Sequence, residues 1–380
     1  MLENHRTNTI SHIKERAEDY VIIAQDTCIY NYTGHKKLEG IGKIQGNILG
    51  ILQHNTLAFS STGVALGIIH QQYWSRNSLV NLQGKESNKW LESLEKTNEL
   101  AGEVKNKTLV MVQDREADFL EFFQREKAEN VVHITRVFQQ RNFRLESEVQ
   151  QVPLSSEQEF LKLADVSVNA KNHGYKEIEI FRKGKYTHVK LSLRSVAVSI
   201  FHKGQKALEG HTLVIAEEVD DDLCNEKEKI CWYLLTDLSI NTLEQAHQVV
   251  DFYSLRWKIE LFHFTMKSGG YQVEKLQFDD VHTMINALTF YSIVSVEVLR
   301  LTYLVRESPL TPAKDFYTEK EIKLVERMSG KKIVVVKDFI IELSKSLAAF
   351  SPTKNYPFPG IKKLAQTMQR FYYLKKGAEL

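Results

Sequence analysis

The chain has 380 residues, enough for two or three domains, and 43% of them are hydrophobic and 26% charged, as in a soluble globular protein. Its apolar runs, such as residues 230–235, are too short to cross a bilayer, and its polar N-terminus is no secretory signal. A net charge of +2 does not by itself indicate nucleic acid, so a DNA enzyme of this composition needs its positive charge concentrated locally. The cysteines have no metal-site spacing and suit a reducing cytoplasm: Cys28, Cys224 and Cys231.

The chain begins with a polar helical lead-in over residues 1–18, followed by a buried strand over residues 20–30 that carries Asp26. Because an unpaired charge is costly in an apolar run, Asp26 is either a metal ligand or an acid that turns the chain at a strand end. Residues 47–59 and 64–70 form two further strands joined by a turn. On the pattern alone these strands are an ordinary antiparallel meander.

A second acid-bearing strand follows an amphipathic helix over residues 87–104. It ends at Asp114, and a helical segment that contains Asp118 comes directly after it. Both acid-bearing strands consist of an apolar run followed by Gln-Asp. Asp118 is the weaker candidate for a functional acid, since it lies one turn into the helix and away from the strand tip. A further strand over residues 131–136 ends at Arg136, which on its own could be a surface cation.

Between residues 138 and 240 the apolar residues recur with period two, which predicts a β-rich insertion. Trp232 lies in the last of its strands, where it could be an ordinary core residue. Several basic side chains of the insertion could line DNA or merely solvate the strands, and the pattern does not decide between these: Arg182, Lys183, Lys185, Lys190 and Arg194.

The segment from residue 242 to the Gly269–Gly270 pair lacks Gly and Pro and has helical apolar spacing, which predicts one helix with Asn241 as its N-cap. Four functional side chains would share one face of that helix, because they are spaced 3, 4 and 7 residues apart: Tyr253, Arg256, Glu260 and Lys267. Such a face can hold a metal ion on its carboxylate and phosphate oxygens on its cations, or it can be a solvated surface.

The same four residues, as Tyr-x2-Arg-x3-Glu-x6-Lys, resemble the signature of bacterial insertion-sequence transposases of the DDE type. The segment Asp-Arg-Glu-Ala-Asp at residues 114–118 is similar to the motif around the second catalytic acid of that family. The resemblance covers nearly the whole chain from residue 20 onwards. It implies an α/β protein with an RNase H-like mixed sheet flanked by helices. In that fold the first and fourth strands lie side by side, so Asp26 and Asp114 would be neighbours.

The domain organisation that the resemblance implies follows the segments described above. The RNase H-like catalytic domain would comprise residues 19–137 and 241–306, and the β-strand insertion at residues 138–240 would precede the helix that carries the Glu. Residues 1–18 would be the lead-in segment. A long apolar helix over residues 279–304 should pack behind the sheet, and the helical C-terminal region, residues 307–380, would pair two subunits or cap the core.

By the same resemblance, the chain would be a DNA transposase that cleaves phosphodiester bonds and transfers strands at transposon ends. Asp26, Asp114 and Glu260 would be the catalytic residues and would bind two Mg²⁺ ions, with Mn²⁺ as a substitute. The DNA-binding residues would be Arg136, Trp232, Tyr253, Arg256 and Lys267, with Trp232 accepting a flipped base. The partners would be double-stranded DNA, at the transposon ends and the target, and a second copy of the chain when DNA is bound. No membrane is implied, and the protein would be cytoplasmic and associated with the nucleoid.

Two alternatives remain open. The first is a nuclease of the same fold that performs no strand transfer. The second is a shortened, non-catalytic subunit that inhibits a full-length transposase. The second alternative arises because relatives have a helical end-recognition domain before the first catalytic acid, whereas 25 residues precede Asp26 here.

Overall fold

The computed structural model describes residues 2–80, 84–138, 140–145, 161–182, 185–200, 208–219 and 229–377. Lys183 and Cys224 lie outside these residues, as does the side chain of Lys185. The chain divides into two compact units. Unit 1 comprises residues 1–17, 27–84 and 257–380, and unit 2 comprises residues 18–26 and 85–256. The predicted domain boundaries stay a prediction.

The described chain contains both helices and strands, and its last third is helical. In chain order they are α1 (Leu2–Glu15), β1 (Tyr20–Asn31), β2 (Gly42–Gln45), β3 (Ile48–Ser60), β4 (Ala65–Trp74), α2 (Asn88–Glu103), β5 (Thr108–Gln113), α3 (Leu120–Gln124), β6 (Val131–Arg136), β7 (Phe143–Leu145), α4 (Leu163–Val168), β8 (Lys171–Arg182), β9 (Lys185–Ile200), β10 (Leu208–Glu218), β11 (Cys231–Thr236), α5 (Leu243–Ser254), α6 (Trp257–Met266), α7 (Val281–Glu307), α8 (Glu319–Ser329), α9 (Val336–Ala348) and α10 (Ile361–Gly377). The strand predicted to carry Asp26, the strand predicted before Asp114 and the strands predicted in the insertion are therefore confirmed.

Unit 2 is built on a mixed sheet with the strand order β1–β5–β6–β11–β10–β9, and both β7 and β8 pair with β9. Strands β1, β5 and β6 are parallel, whereas the strands of the insertion pair antiparallel. Residues 21–24 and 109–112 are fully buried, which is the pattern of parallel strands covered on both faces. Helices α2 and α5 pack on this sheet. Because β11 pairs with β6, the insertion extends the sheet that carries the acids.

Unit 1 contains an antiparallel set of strands, in which β2 and β4 pair with β3 and the second part of β1 lies beside β3. Helix α1 packs on β4. His5 Nε2 accepts a hydrogen bond from the Ile68 N–H at 3.1 Å, and His12 Nδ1 lies 2.9 Å from the Leu66 carbonyl oxygen. The predicted lead-in is thus a helix that is hydrogen-bonded to the backbone of a strand.

The helical C-terminal region predicted from the sequence is confirmed, and its apolar side chains form one core with the second half of α7. That core includes Val305, Phe339 and Leu364, and the Tyr317 and Phe339 rings stack 3.7 Å apart. By length and composition, α7 alone among the described helices is long and apolar enough to cross a membrane, and 56% of its most apolar stretch is buried. It packs against β4, α6 and α10, as a core helix does.

One prediction about the helices was wrong. The chain from residue 242 to residue 267 forms two helices, α5 and α6, with a turn at residues 255–256. In that turn the backbone tightens, because the N–H of Arg256 bonds to the carbonyl of Tyr253, three residues back. The N-cap is Thr242, whose side chain accepts the Gln245 N–H while the Gln245 side chain bonds back, rather than Asn241. The four signature residues therefore do not share one helical face.

The close contact of α1 with β4 depends on Gly67, where a Cβ atom would collide with the Thr9 side chain. We expect Gly67→Ala to destabilise unit 1 by about 1–3 kcal/mol, the usual cost of overpacking. Scanning calorimetry measures the effect. Gly102→Ala is the matched control: it lies in α2 with nothing within 4 Å of the added atom, so it should be neutral or stabilise by up to about 1 kcal/mol. Equal unfolding temperatures for parent and Gly67→Ala would contradict the expectation.

Candidate metal and phosphate site

Asp26 and Asp114, the acid pair, belong to neighbouring parallel strands of unit 2. The register of β1 and β5 pairs Ala24 with Val112. Continuing it by two residues brings Asp26 level with Asp114, on backbones that in such sheets lie about 4.8 Å apart. Asp26 lies within β1 and Asp114 directly follows β5, so the parallel pairing puts their backbones on neighbouring strands.

The local chain holds Asp114 in place. It follows β5 and caps a single 3₁₀ turn at residues 115–117, where its Oδ1 accepts the Glu116 N–H at 2.9 Å. Burial raises the pKa of the Asp114 carboxyl, and the Glu116 charge adds to this effect. The Glu116 hydrogen bond and the cations of Arg256 and Lys89 oppose it. Ionised Asp114 is therefore an anion that a nearby cation stabilises.

Arg256 is the cation that connects the signature segment to the acid pair. Its Nη1 lies 3.3 Å from Asp26 Oδ2, and its charge also acts on Asp114. Tyr253, three residues earlier, is buried, and burial raises the pKa of its hydroxyl while Arg256 and Arg136 partly oppose the shift. Tyr253 thus keeps its proton at neutral pH, next to two guanidinium groups.

Trp232 and Arg136 lie beside this group on β11 and β6. The Trp232 ring is half-buried and meets the Tyr253 ring edge to face, with centroids 5.2 Å apart. Arg136 Nη2 donates to the Cys231 carbonyl oxygen at 3.3 Å. Among the described residues no carboxylate forms an ion pair with Arg136, so its charge is available to an anion. An aromatic ring and an available guanidinium suit a base and a phosphate.

Asp118 has a structural role. Its carboxylate forms an ion pair with Arg141 and accepts the Phe138 N–H at 2.8 Å, and its side chain is 1% exposed. The preference for Asp114 over Asp118 in the sequence analysis agrees with this arrangement. The motif Asp-Arg-Glu-Ala-Asp therefore contains one acid of the acid pair and one acid that holds the loop after β6.

Glu260 and Lys267 belong to unit 1. Glu260 lies in the first turn of α6, with a side chain 36% exposed, and its Oε2 is 3.9 Å from His263 Nδ1. Lys267 follows α6, and its Nζ lies 3.7 Å from Glu274 Oε1. Unit 2 thus brings six of the predicted site residues into one neighbourhood, whereas the convergence of Glu260 and Lys267 with them stays a prediction.

Three of the five basic residues that the sequence left open have described side chains, and all three have partners. Arg182 forms two hydrogen bonds to Glu218, at 2.8 and 2.9 Å, and Arg194 pairs with Glu217. Lys190 Nζ lies 4.3 Å from the centroid of the Tyr175 ring. The charges of Arg182 and Arg194 are therefore balanced within the sheet, and that of Lys190 lies against an aromatic ring.

Sequence reasoning missed His263, which contacts Glu260. The signal was present, because a His three residues after a Glu lies on the same side of a helix. It was also uninformative alone, since a His on an apolar helix is common in a protein core. Lys89 was missed as well, and it donates to Glu116 at 2.8 Å next to Asp114.

The acid pair fits a divalent cation. Its ligands are carboxylate oxygens, the type that Mg²⁺ and Mn²⁺ prefer. Burial and the Glu116 charge both disfavour ionised Asp114, so a cation near it is stabilising. The residues present in unit 2 are therefore of the right type for such an ion.

No protein-family model matches this chain. The resemblance to insertion-sequence transposases therefore depends on the motifs that carry it. An assignment of function depends on those motifs together with the geometry of the acid pair and its surrounding cations.

The raised pKa of Asp114 predicts a pH-dependent effect on stability. Because the pKa of Asp114 is higher in the folded state, the protonated carboxyl stabilises the fold relative to the ionised one. This stabilisation is complete below the unfolded-state pKa and is lost as pH rises through the folded-state pKa. Asn suffers no such loss and can still accept the Glu116 N–H. We expect Asp114→Asn to unfold at a higher temperature than the parent at neutral pH, with the difference shrinking in acid.

Thermal unfolding at several pH values measures this difference. Glu121→Gln, an exposed acid of α3 in the same unit, is the control and should stay within about 0.5 kcal/mol of the parent. A lower unfolding temperature for Asp114→Asn at neutral pH would mean that the ionised carboxylate stabilises the fold, contrary to the pKa argument.

Proposed function

We propose that this chain is a transposase of the DDE type, which cleaves phosphodiester bonds at transposon ends and joins the ends to target DNA. The observation that carries the proposal is the level placement of Asp26 and Asp114 on parallel neighbouring strands, with Arg256 against Asp26. Acids alone occur in many folds. Their combination with the Tyr-Arg-Glu-Lys spacing favours phosphoryl transfer on DNA over other uses.

The strand arrangement supports an RNase H-like fold. In unit 2, β5 lies parallel beside β1, and β6 lies parallel beside β5. In unit 1, β3 lies beside β1 and pairs antiparallel with β4. Apart from the short β2, this is the order expected of three antiparallel strands followed by two parallel ones. The β-rich insertion between β6 and α5 matches the position implied by the resemblance.

The proposed metal ligands are the three acids Asp26, Asp114 and Glu260, with Glu260 assigned by the resemblance alone. When bound, two Mg²⁺ ions would supply a lowered pKa for the attacking water or 3′-hydroxyl and charge stabilisation for the leaving oxygen. The acids of this chain hold and orient the ions. Asp114 binds them best when ionised, so metal binding should strengthen as pH rises through its pKa.

The remaining residues would hold DNA. A guanidinium has five N–H donors in a fork, so Arg256 can contact Asp26 and a phosphate oxygen together. Tyr253 stays protonated, so its hydroxyl can donate a hydrogen bond to a second phosphate oxygen. Arg136 would add charge along the backbone, and Lys267 would do the same from unit 1. Trp232, half-buried against Tyr253, would stack on an unpaired base.

The proposed partners follow from this chemistry. The substrate is double-stranded DNA, both at the transposon ends and at the target. Because each transposon has two ends, the active species would be a homodimer on DNA, with the helical C-terminal region as the proposed contact. The proposed location is the bacterial cytoplasm, with the nucleoid, and no membrane partner is proposed.

DNA cleavage tests the catalytic assignment. With Mg²⁺ and a duplex that carries the element's ends, the parent should nick the DNA, and Asp114→Asn and Glu260→Gln should each lower the rate by at least about 10³-fold. Glu116→Gln, in the same motif as Asp114, should stay near the parent rate. A Glu260→Gln variant that cleaves like the parent would remove Glu260 from the site.

Strand transfer separates a transposase from a nuclease. Pre-cleaved ends incubated with a target plasmid and Mg²⁺ should yield joined products from the parent and none from Asp114→Asn. Cleavage by the parent without any joined product would favour a nuclease of the same fold.

The salt dependence of DNA binding tests Arg136. Each phosphate that a side chain neutralises contributes about −0.9 to the slope of log K against log salt. We expect Arg136→Ala to make the slope shallower by about 1 without changing sequence preference. Fluorescence anisotropy of a labelled duplex over a KCl series measures this. Arg194→Ala, a cation already paired with Glu217, is the matched control and should keep the parent slope. Equal slopes for parent and Arg136→Ala would exclude a phosphate contact.

A further inference from the structure

A chain of buried hydrogen bonds crosses the core of unit 1 and ends at His263. On β3, Gln53 and Asn55 lie on one face, opposite Tyr73 and Gln71 of β4. The bonds are Gln53 Nε2 to Tyr73 Oη at 2.8 Å, Tyr73 Oη to Gln71 Oε1 at 3.2 Å, Gln71 Nε2 to Asn55 Oδ1 at 2.7 Å and Asn55 Nδ2 to His263 Nε2 at 3.3 Å. At the far end, the Tyr30 hydroxyl donates to Gln53 Oε1 at 2.6 Å.

The donors and acceptors of this chain all run in one direction. Because Gln71 donates to the Asn55 oxygen, the Asn55 NH₂ group must face His263. Its other N–H is directed to the Gln53 carbonyl oxygen at 3.3 Å, so the amide orientation is determined twice. His263 Nε2 must then accept, and the ring proton must be on Nδ1, the nitrogen that lies 3.9 Å from Glu260 Oε2.

A network of buried hydrogen bonds fills a core at a higher free-energy risk than apolar side chains do. Gln53 and Asn55 are fully buried, and His263 is 8% exposed. Leaving any one of these groups unpaired would cost about 1–3 kcal/mol, whereas apolar side chains of the same shape would be nearly neutral. Buried polar networks that are fully satisfied make one arrangement of a core unique. Stability alone therefore does not account for this set of residues.

We propose that Asn55 and His263 are positioning residues, which hold the Glu260 carboxylate for its role as a metal ligand. The inference rests on the proposed function, because it needs Glu260 to bind a metal ion. His263 carries its ring proton on Nδ1, 3.9 Å from Glu260 Oε2, and Asn55 fixes the ring and its tautomer. This is the use that proteins make of hydrogen bonds behind a metal ligand, where loss of the supporting group lowers metal affinity about 10–100-fold.

Mn²⁺ binding tests the proposal without depending on catalysis. Free Mn²⁺ is followed by electron paramagnetic resonance in a titration of the full chain, and the relevant ions are those that Asp114→Asn and Glu260→Gln weaken. His263→Gln places an amide near the position of Nε2 and lacks a donor near Glu260, so it should lower the Mn²⁺ affinity about tenfold. His263→Asn places an amide donor near the position of Nδ1 but loses the acceptor for Asn55, so it should lose less affinity than His263→Gln.

The network supplies a second variant and a control. Asn55→Leu keeps the size of the side chain and removes the amide, so it should weaken Mn²⁺ binding about as much as His263→Gln, and the double variant should lose little more. Ser292→Ala removes a buried hydroxyl that accepts from Gln53 at 2.9 Å but does not lead to His263. It should bind Mn²⁺ like the parent. Unfolding temperatures of all variants report whether the fold is kept.

Three outcomes would overturn the proposal. If His263→Gln and Asn55→Leu bind Mn²⁺ like the parent while Glu260→Gln does not, the positioning role is wrong and the proposed function stands. If His263→Asn loses as much affinity as His263→Gln, the imidazole is needed for packing rather than for its Nδ1 donor. If the parent binds no Mn²⁺ and cleaves no DNA, the proposed function fails, and the positioning role fails with it.

Discussion

The burial of the Asp114 carboxyl, on the strand next to the one that carries Asp26, is the constraint on which the site in unit 2 depends. Parallel pairing of β1 and β5 brings Asp26 and Asp114 level, and burial makes the ionised form of Asp114 less favourable. Cations must therefore be close. Arg256 supplies one, placed by the tight turn that ends α5, and Lys89 adds another near Asp114. Burying the Asp114 carboxyl lowers the stability of the fold at neutral pH, and the nearby cations offset part of that loss.

Unit 1 places its polar groups differently. Uncharged amides and hydroxyls fill part of its core at β3 and β4, among them Gln53, Asn55 and Gln71. These groups carry no net charge, so burying them costs only their hydrogen bonds, and the network from Tyr30 to His263 remakes such bonds. The result is a rigid support for one imidazole, built from residues whose sequence pattern gives no sign of their role.

The elements that the sequence predicts well are those with strong local signals. The two apolar runs that end in Gln-Asp predict both β1 and β5, because strand periodicity and burial cost act locally, whereas the expectation that Asp26 and Asp114 are neighbours comes from the family resemblance. The prediction of a single helix across residues 242–267 was wrong. The turn at residues 255–256 contains neither Gly nor Pro, and the backbone hydrogen bonds that form it have no signal in the residue types. The pairing of Arg182 and Arg194 with acids of β10 and the hydrogen bond of Asn55 to His263 depend on contacts between distant segments, which composition and spacing do not encode.

The pairing of β11 with β6 has a consequence for how this fold could have changed in evolution. A stretch inserted as a separate domain can be removed again, leaving the host sheet intact. Here the last strand of the insertion completes the hydrogen bonding of β6, whose residues 131, 133, 134 and 135 are buried. Cutting the insertion out would leave β6 as an open edge with unpaired backbone groups, which another chain could pair with. Removal of residues 138–240 would therefore favour aggregation.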